Sequence, residues 1–266
     1  MEVKSVTIPY KFSEPIKIHL LGDIHAGIKH CSESQILDRV KEIKNDPNAY
    51  FIGMGDYADF ITPSDPRWDI QVIADWVEKD NLARSLEKHV INLFSPIKDK
   101  CLGLLEGNHE DAIRIHNHDD VQKNICNELS VSNLGYTVII IFTLKRRKST
   151  ESHHLKGVFT HGSGWAVTKG SKINRLERFM NMFPTCRIAA MGHMHDRIDH
   201  TLPYLDINTE GKIVDAQRVG VVSGSWLRTY AQGVRASYAE KKGYPPTTLG
   251  SPVIMIKPNE NRIWVE

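Results

Sequence analysis

The chain has 266 residues, a formal net charge of +2 and an apolar fraction of 41%. This composition is that of a globular protein with a sizeable core, and it excludes a disordered or fibrous chain. No apolar run approaches the roughly 20 residues of a membrane-spanning helix, and the N-terminus lacks the basic and then apolar layout of a secretory signal. We therefore expect a cytoplasmic protein without membrane contact. The near-neutral charge argues against tight binding of long DNA by this chain alone.

Short β-rich runs alternate with helical segments along most of the chain. We expect strands over residues 16–21, 50–54, 101–105, 137–144, 158–160, 188–191, 218–222, 253–256 and 262–265. Several of these runs are apolar on both faces, as strands buried between layers are. We expect helices from Ser32, with Gln35 completing a capping box, to about residue 45, over about 68–94, and over 171–182.

The order of these elements predicts an α/β fold. We expect a single domain over residues 1–266, in which two mainly mixed β-sheets pack face to face with helices outside. This arrangement is a four-layer αββα sandwich.

Five short polar islands each follow a predicted strand. They read Gly22-Asp23-Ile24-His25, Gly55-Asp56-Tyr57-Ala58-Asp59, Gly107-Asn108-His109-Glu110, Thr160-His161-Gly162 and Gly192-His193-Met194-His195. Any one of these Asp or His residues alone is typical of a turn or a helix cap. Together they indicate a metal site, because carboxylate, amide and imidazole groups are ligands of divalent ions. Two such ions roughly 3.5–4 Å apart can activate water and stabilise charge in phosphate ester hydrolysis.

The five islands resemble the motifs of the calcineurin-like metallophosphoesterase superfamily, over the segment from Gly22 to His195. The resemblance implies one ion held by Asp23, His25, Asp56 and His195, and a second held by Asp56, Asn108, His161 and His193. In this scheme Asp56 is the bridge between the ions. The resemblance also implies that His109 contacts the phosphate and assists the leaving group, that Asp59 orients His109, and that Glu110 supports the ligands without binding metal.

One position departs from the protein phosphatases of that superfamily. Phe60 follows Asp59 where those enzymes carry an arginine that grips the phosphate. This departure favours a phosphodiester substrate, either nucleic acid or a nucleotide, with phosphomonoester hydrolysis as the alternative. A further alternative is a non-catalytic scaffold of the same fold. Mn²⁺ is our first choice for the two divalent ions, and Fe, Zn, Ni and Mg also suit these ligands. The sequence gives no indication of the oligomeric state.

Residues 223–250 form a candidate lid or substrate-contact segment. Trp226, Arg228 and Tyr230 are candidate substrate contacts, because aromatic rings stack on bases and guanidinium groups bind phosphate. Tyr238 and Arg235 extend the same pattern. The alternative is that these aromatic residues pack among themselves in an irregular lid. The segment resembles, more weakly than the islands do, the tails of metallophosphoesterases from phages and mobile elements. Trp165, shortly after His161, is a further candidate for the pocket wall.

Overall fold

The computed structural model describes residues 1–266 except residues 64, 66, 67, 165, 208 and 209. Its strands are β1 (Glu2–Tyr10), β2 (Ile16–Leu21), β3 (Ala49–Gly53), β4 (Cys101–Leu104), β5 (Thr137–Arg146), β6 (Ser152–Thr160), β7 (Ile188–Met191), β8 (Arg197–Ile207), β9 (Ile213–Ser223), β10 (Val253–Lys257) and β11 (Arg262–Val265). Its α-helices are α1 (Glu33–Asn45), α2 (Leu82–Phe94), α3 (Asn108–Asn117), α4 (Val121–Leu129), α5 (Lys169–Met182) and α6 (Tyr238–Lys241). None of these described helices is long and apolar enough to cross a membrane.

The strands form two mixed sheets. One has six strands in the order β1-β5-β6-β7-β9-β8, and the other has five in the order β11-β10-β2-β3-β4. In the five-stranded sheet β2, β3 and β4 run parallel, and in the six-stranded sheet β6, β7 and β9 run parallel. The carboxyl ends of β2, β3 and β4 therefore lie along one edge of their sheet, and those of β6 and β7 lie along one edge of theirs.

Three apolar clusters pack against these sheets. The first contains side chains of both sheets, among them Ile52 of β3 and Phe142 of β5. The second joins α1, α2 and α4 to the five-stranded sheet and includes Phe51. The third joins α5, through Leu176, to β6, β7 and β9. The consecutive residues Phe51 and Ile52 lie in different clusters because side chains alternate between the two faces of a strand.

Two helix predictions are wrong in part. The helix expected over about 68–94 begins only at Leu82, because the preceding segment folds as turns that pair with the loop after β2, as in the isolated bridge between Ile28 and Ile73. Ser32 does precede α1, but its side chain makes no capping hydrogen bond. Its hydroxyl Oγ instead accepts a hydrogen bond of 2.8 Å from Arg228.

The sequence patterns missed two strands, β1 and β8. Both lie at the ends of the six-stranded sheet, and most of their side chains are exposed or half-buried. An edge strand of this kind lacks the continuous apolar run by which we recognised the central strands. The predicted strands themselves are confirmed, several of them longer than expected.

Candidate metal centre

The polar islands lie where the fold brings strand ends together. The predicted ligands follow five strands: Asp23 and His25 after β2, Asp56 after β3, Asn108 after β4, His161 after β6, and His193 and His195 after β7. The ends of the two sheets contact each other here. The backbone N–H of His193 donates a hydrogen bond of 2.9 Å to Oδ2 of Asp23, and Nδ1 of His161 lies 2.7 Å from the carbonyl oxygen of Met54.

Three overlapping groups of side chains could hold a metal ion, because their ligand atoms lie within 4.8 Å of one another. They are Asp23, His25, Asp56 and His195; Asp56, His161 and His193; and His25, Asp59 and His109. The first two groups reproduce the ligand sets that the sequence resemblance implies, apart from the amide of Asn108. Asp56 belongs to both of these groups.

The first group brings ligand atoms of two histidines and of Asp23 close to one another. Nε2 of His25 lies only 3.1 Å from Nε2 of His195. Oδ1 of Asp23 is buried and makes no hydrogen bond within the described chain, although Nε2 of His195 lies 3.2 Å away. A buried carboxylate oxygen without a hydrogen bond is costly. A divalent ion would satisfy it, so these residues fit a metal ion.

The second group converges on the amide oxygen of Asn108. This oxygen lies 3.0 Å from Nε2 of His161 and 2.8 Å from Nδ1 of His193. Nε2 of His161 is also 3.3 Å from Oδ2 of Asp56. One amide oxygen, one carboxylate oxygen and two ring nitrogens therefore face a common point, which is a donor set of oxygen and nitrogen that suits borderline divalent ions.

Hydrogen bonds behind the ligands fix the orientation of two histidine rings. Nδ1 of His161 donates to the carbonyl of Met54, and Nδ1 of His25 lies 3.2 Å from Oδ1 of Asp59. A ring nitrogen that carries the proton for such a bond leaves the other nitrogen with a lone pair. The Nε2 atoms of both rings are thereby prepared as metal ligands, in the manner of a carboxylate–histidine–metal arrangement.

The charges of the predicted ligands depend on the contacts that these side chains make with one another. Burial disfavours the charged form of Asp56, but His161 and other histidines outweigh burial and hold the pKa of Asp56 well below its usual range. Burial likewise opposes protonation of His161, but Asp56 and Asp23 outweigh it and raise the pKa of His161 to about 10. Burial lowers the pKa of His25. The site therefore presents ionised carboxylates, and a cation bound at Nε2 of His161 would displace the ring proton that Asp56 stabilises.

The backbone of the ligand loops is unusual. Among the described residues, ten that are not glycine have a positive φ. Half of these are predicted ligands: Asp23, His25, Asp56, His193 and His195. Positive φ is uncommon for residues with a Cβ and costs roughly 1–3 kcal/mol where it is strained, so such residues cluster at functional sites.

Glu110 supports the loop that carries Asp56. Its buried carboxylate accepts hydrogen bonds from the backbone N–H groups of Asp56 at 2.9 Å, Tyr57 at 2.8 Å and Gly107 at 3.0 Å. A Cβ at Gly107 would lie 2.2 Å from both the backbone nitrogen and Oδ1 of Asp56. The loop after β4 therefore packs directly against the loop after β3, and Glu110 joins the two.

The structure places Asp59 beside a second histidine as well as the predicted one. Its Oδ1 is 3.2 Å from Nδ1 of His25 but 3.9 Å from Nδ1 of His109. His109 instead donates its Nδ1–H to the backbone carbonyl of Asp59. Asp59 thus orients both histidines, His25 through its side chain and His109 through its backbone carbonyl. His109 is buried and lines the same cavity as the ligands.

A cavity of about 1010 Å³ lies beside the predicted ligands. Its other walls come from residues within 28–30, 61–72, 164–172 and 227–247. The C-terminal segment thus lies beside the site as expected. Of the residues singled out within it, Arg235 and Tyr238 line this cavity, whereas Trp226, Arg228 and Tyr230 do not. Trp226 is buried in the core, Arg228 bonds to Ser32, and Tyr230 donates a hydrogen bond of 2.8 Å to the carbonyl of Tyr244. Trp165 lies outside the described residues.

The sequence analysis missed other residues that line the cavity. Trp68 and His30 belong to its wall, as does Tyr244. None of them stands in a motif or follows a strand directly, and only their position in the folded chain brings them to the cavity. Phe60 is buried in the core.

Comparison with protein-family models and with curated proteins found no match to this chain. The functional assignment therefore depends on the geometry of the site and on the motif resemblance.

Proposed function

We propose that this chain is a dinuclear metal-dependent phosphoesterase of the calcineurin-like type. The observation that carries the proposal is the position of Asp56 in two neighbouring ligand groups. One carboxylate can then bridge an ion held with Asp23, His25 and His195 and an ion held with Asn108, His161 and His193. A bridging carboxylate between oxygen and imidazole ligands is the arrangement that two-metal phosphate chemistry requires. We keep Mn²⁺ as the first metal to assay.

The proposal includes the architecture of this enzyme type. The three apolar clusters support a four-layer αββα sandwich, with one cluster between the sheets and one under the helices on each side. We treat residues 1–266 as one domain in which residues 223–250 form the wall of the site. The four cysteines are free thiols, which supports a reducing, cytoplasmic location.

The residues of the chain have separate roles in this reaction. Bound divalent ions would supply stabilisation of charge on the phosphate and would lower the pKa of water. Asp59 and the carbonyl of Met54 hold the rings of His25 and His161 in place. His109, fixed through Nδ1 by the carbonyl of Asp59, holds a proton on Nε2 when its ring is protonated and donates it to the departing oxygen.

We propose a phosphodiester as the substrate. The described cations that line the cavity include Lys172 and Arg235. Lys172 is paired with Asp196 at 3.1 Å, and Arg235 with Asp69 at 2.8 Å. A dianionic monoester calls for more positive charge than a monoanionic diester does. Two of the three described cations of the cavity, the third being Lys241, are therefore already paired. This pairing favours the diester, of a nucleotide or of nucleic acid.

The test is hydrolysis of bis-p-nitrophenyl phosphate beside p-nitrophenyl phosphate, with Mn²⁺ and after removal of metal by a chelator. We expect faster cleavage of the diester, its loss on chelation and its return with Mn²⁺. His161→Ala should abolish turnover. His154→Ala is the matched control, because His154 is exposed on β6 away from the site.

Three results would count against the proposal. Faster cleavage of the monoester would replace the diesterase by a phosphomonoesterase. Equal activity of the His161→Ala variant would show that the predicted ligands are not the site. Absence of cleavage of either ester, with two metal ions bound, would favour a scaffold.

A further inference from the structure

The cavity beside the ligands is much larger than a phosphate group needs. Its volume of about 1010 Å³ lies at the upper end of the range of roughly 300–1,000 Å³ for pockets that hold organic ligands. We call the part of the cavity lined by His30, by described residues within 61–72 and by residues within 227–247 the recess. An additional group of the substrate, attached to the phosphate, can occupy it.

The wall of the recess contains an acceptor without a partner. His30 is only 1% exposed, and its Nε2 makes no hydrogen bond within the part of the chain that the structure describes. Burial lowers the pKa of His30, opposed by a backbone hydrogen bond with Arg235. A neutral ring that uses Nδ1 toward the backbone leaves Nε2 as an acceptor. Leaving such an atom unsatisfied is costly, so the recess suits a ligand that offers an N–H or O–H group.

Aromatic side chains stand on both sides of the recess. Trp68 belongs to the 61–72 wall, and Tyr238 and Tyr244 belong to the 227–247 wall. Tyr238 is 50% exposed at the start of α6. Nζ of Lys242 lies over its ring at 5.7 Å from the centroid, and the exposed part of the ring is available for stacking. Flat aromatic faces stack on nucleic acid bases, and each stacked base contributes about 1–3 kcal/mol.

The two walls are tied together. The guanidinium of Arg235 lies 2.8 Å from Oδ2 of Asp69 and donates a hydrogen bond of 2.6 Å to Oε1 of Gln71. This contact joins residues 227–247 to residues 61–72. A recess bounded in this way suits one compact unit rather than the interior of a long duplex.

We propose that the recess binds the nucleoside of a nucleotide phosphodiester, with the base against Tyr238 and Trp68 and a donor group of the nucleoside on Nε2 of His30. The inference rests on the proposed phosphodiesterase function and specifies its substrate class. It makes His30 and Tyr238 specificity-determining residues.

The experiment compares two diesters with one leaving group. The p-nitrophenyl ester of thymidine 5′-phosphate carries a nucleoside, whereas methyl p-nitrophenyl phosphate carries only a methyl group. We expect kcat/KM to be at least about tenfold higher for the nucleoside ester. The free energy of one stacked base corresponds to a change in kcat/KM of roughly 5- to 150-fold. Tyr238→Ala and His30→Phe should each lower this ratio by about fivefold or more.

Phe12→Ala is the control for the aromatic substitution, because Phe12 is exposed and does not line the cavity. It should leave the ratio unchanged. Equal kcat/KM for the two diesters in the unmodified protein would overturn the recess proposal and leave the phosphodiesterase in place. A ratio that neither Tyr238→Ala nor His30→Phe lowers would also overturn it.

A binding measurement separates the two proposals if no ester is cleaved. Such a result would count against the phosphodiesterase, and the recess would then be judged by calorimetric titration with thymidine 5′-monophosphate and with inorganic phosphate. Tighter binding of the nucleotide, weakened by Tyr238→Ala, would support the recess. Equal binding of the two, or no binding, would overturn it.

Discussion

The predicted ligands and the C-terminal wall of the cavity are built in opposite ways. Asp23, Asp56 and His161 are almost completely buried, and each follows directly from a strand of the central sheets. The wall is an irregular segment whose only described helix, α6, has four residues, and its Arg235 and Tyr238 are largely exposed.

The difference shows that the part of the site that needs precise geometry is built on regular elements, and that the wall is not. A metal ligand must be held within a few tenths of an ångström, and regular elements with buried hydrogen bonds provide that. A wall that contacts a substrate group can be formed by a loop, because loops vary in sequence without disturbing the sheets. We expect substitutions at the ligand edge to remove function altogether, and substitutions in the wall to change which substrate is preferred.

The largest effect should come from Asp56→Asn. A bridging ligand serves both ions, so we expect both to be lost together and kcat to fall by more than the roughly 10- to 100-fold that supporting residues of metal sites contribute. Metal analysis after dialysis measures the first effect, and diester hydrolysis the second. Asp38→Asn on the exposed face of α1 is the control. Retention of two ions by Asp56→Asn would remove the bridge from the scheme.

The His109→Ala substitution separates chemistry from metal binding. We expect kcat to fall by about 10²- to 10⁴-fold, the usual contribution of a general acid, while two metal ions remain bound. Loss of metal in this variant would instead place His109 among the ligands, in the group that it forms with His25 and Asp59. Metal content and turnover should be measured on the same preparation.

Glu110→Ala tests the support of the ligand loop. The carboxylate accepts three backbone hydrogen bonds in the interior, and each buried donor left without a partner costs about 1–3 kcal/mol. We expect the free energy of unfolding to fall by about 3 kcal/mol or more, together with weaker metal binding. Urea denaturation measures the change. Glu128→Ala, on the exposed face of α4, should alter stability little, and equal stability of the two variants would contradict the assigned role.

Arg228 and Arg235 provide a direct comparison within the C-terminal segment. Arg228→Ala removes the hydrogen bond to Ser32 and should lower the free energy of unfolding by about 1 kcal/mol without changing the ratio between the two diesters. Arg235→Ala should change that ratio and alter stability less, because its ion pair is largely exposed. The opposite pattern would show that the segment was divided wrongly between core and wall.

An effect confined to acidic pH concerns His19, a buried histidine of β2 that is not a predicted ligand. Burial and the charge of Arg39 lower its pKa to about 3, below the value of about 6.5 for an exposed histidine. The unfolded chain therefore binds more protons between these two values, so the stability gained from the neutral ring is present above about pH 6.5 and is lost as pH falls toward about 3.

The slope from this one group is at most about 1.4 kcal/mol per pH unit. His19→Gln keeps a side chain that can accept a hydrogen bond from Arg39 and should flatten the dependence of stability on pH over that window. Denaturation of the metal-free proteins at several pH values measures the difference. Parallel curves for the two proteins would show that His19 does not titrate in this way.

The sequence by itself determined which strand ends carry the Asp and His residues of the predicted metal site. Asp23, His25 and Asp56 were predictable because a buried strand followed by a polar turn is a local pattern, and parallel strands bring such turns to one edge of a sheet. The strands over 188–191 and 253–256 were predictable for the same local reason.

Tertiary structure decided which groups face one another. The side chain of Asp59 lies nearer to His25 than to His109 because the loops after β2 and β3 pack together, as in the bridge between Ala26 and Ala58. His30 and Tyr238 lie in one cavity although some 200 residues separate them along the chain. No local periodicity specifies such contacts, since they depend on how two irregular segments pack across the end of the sheets.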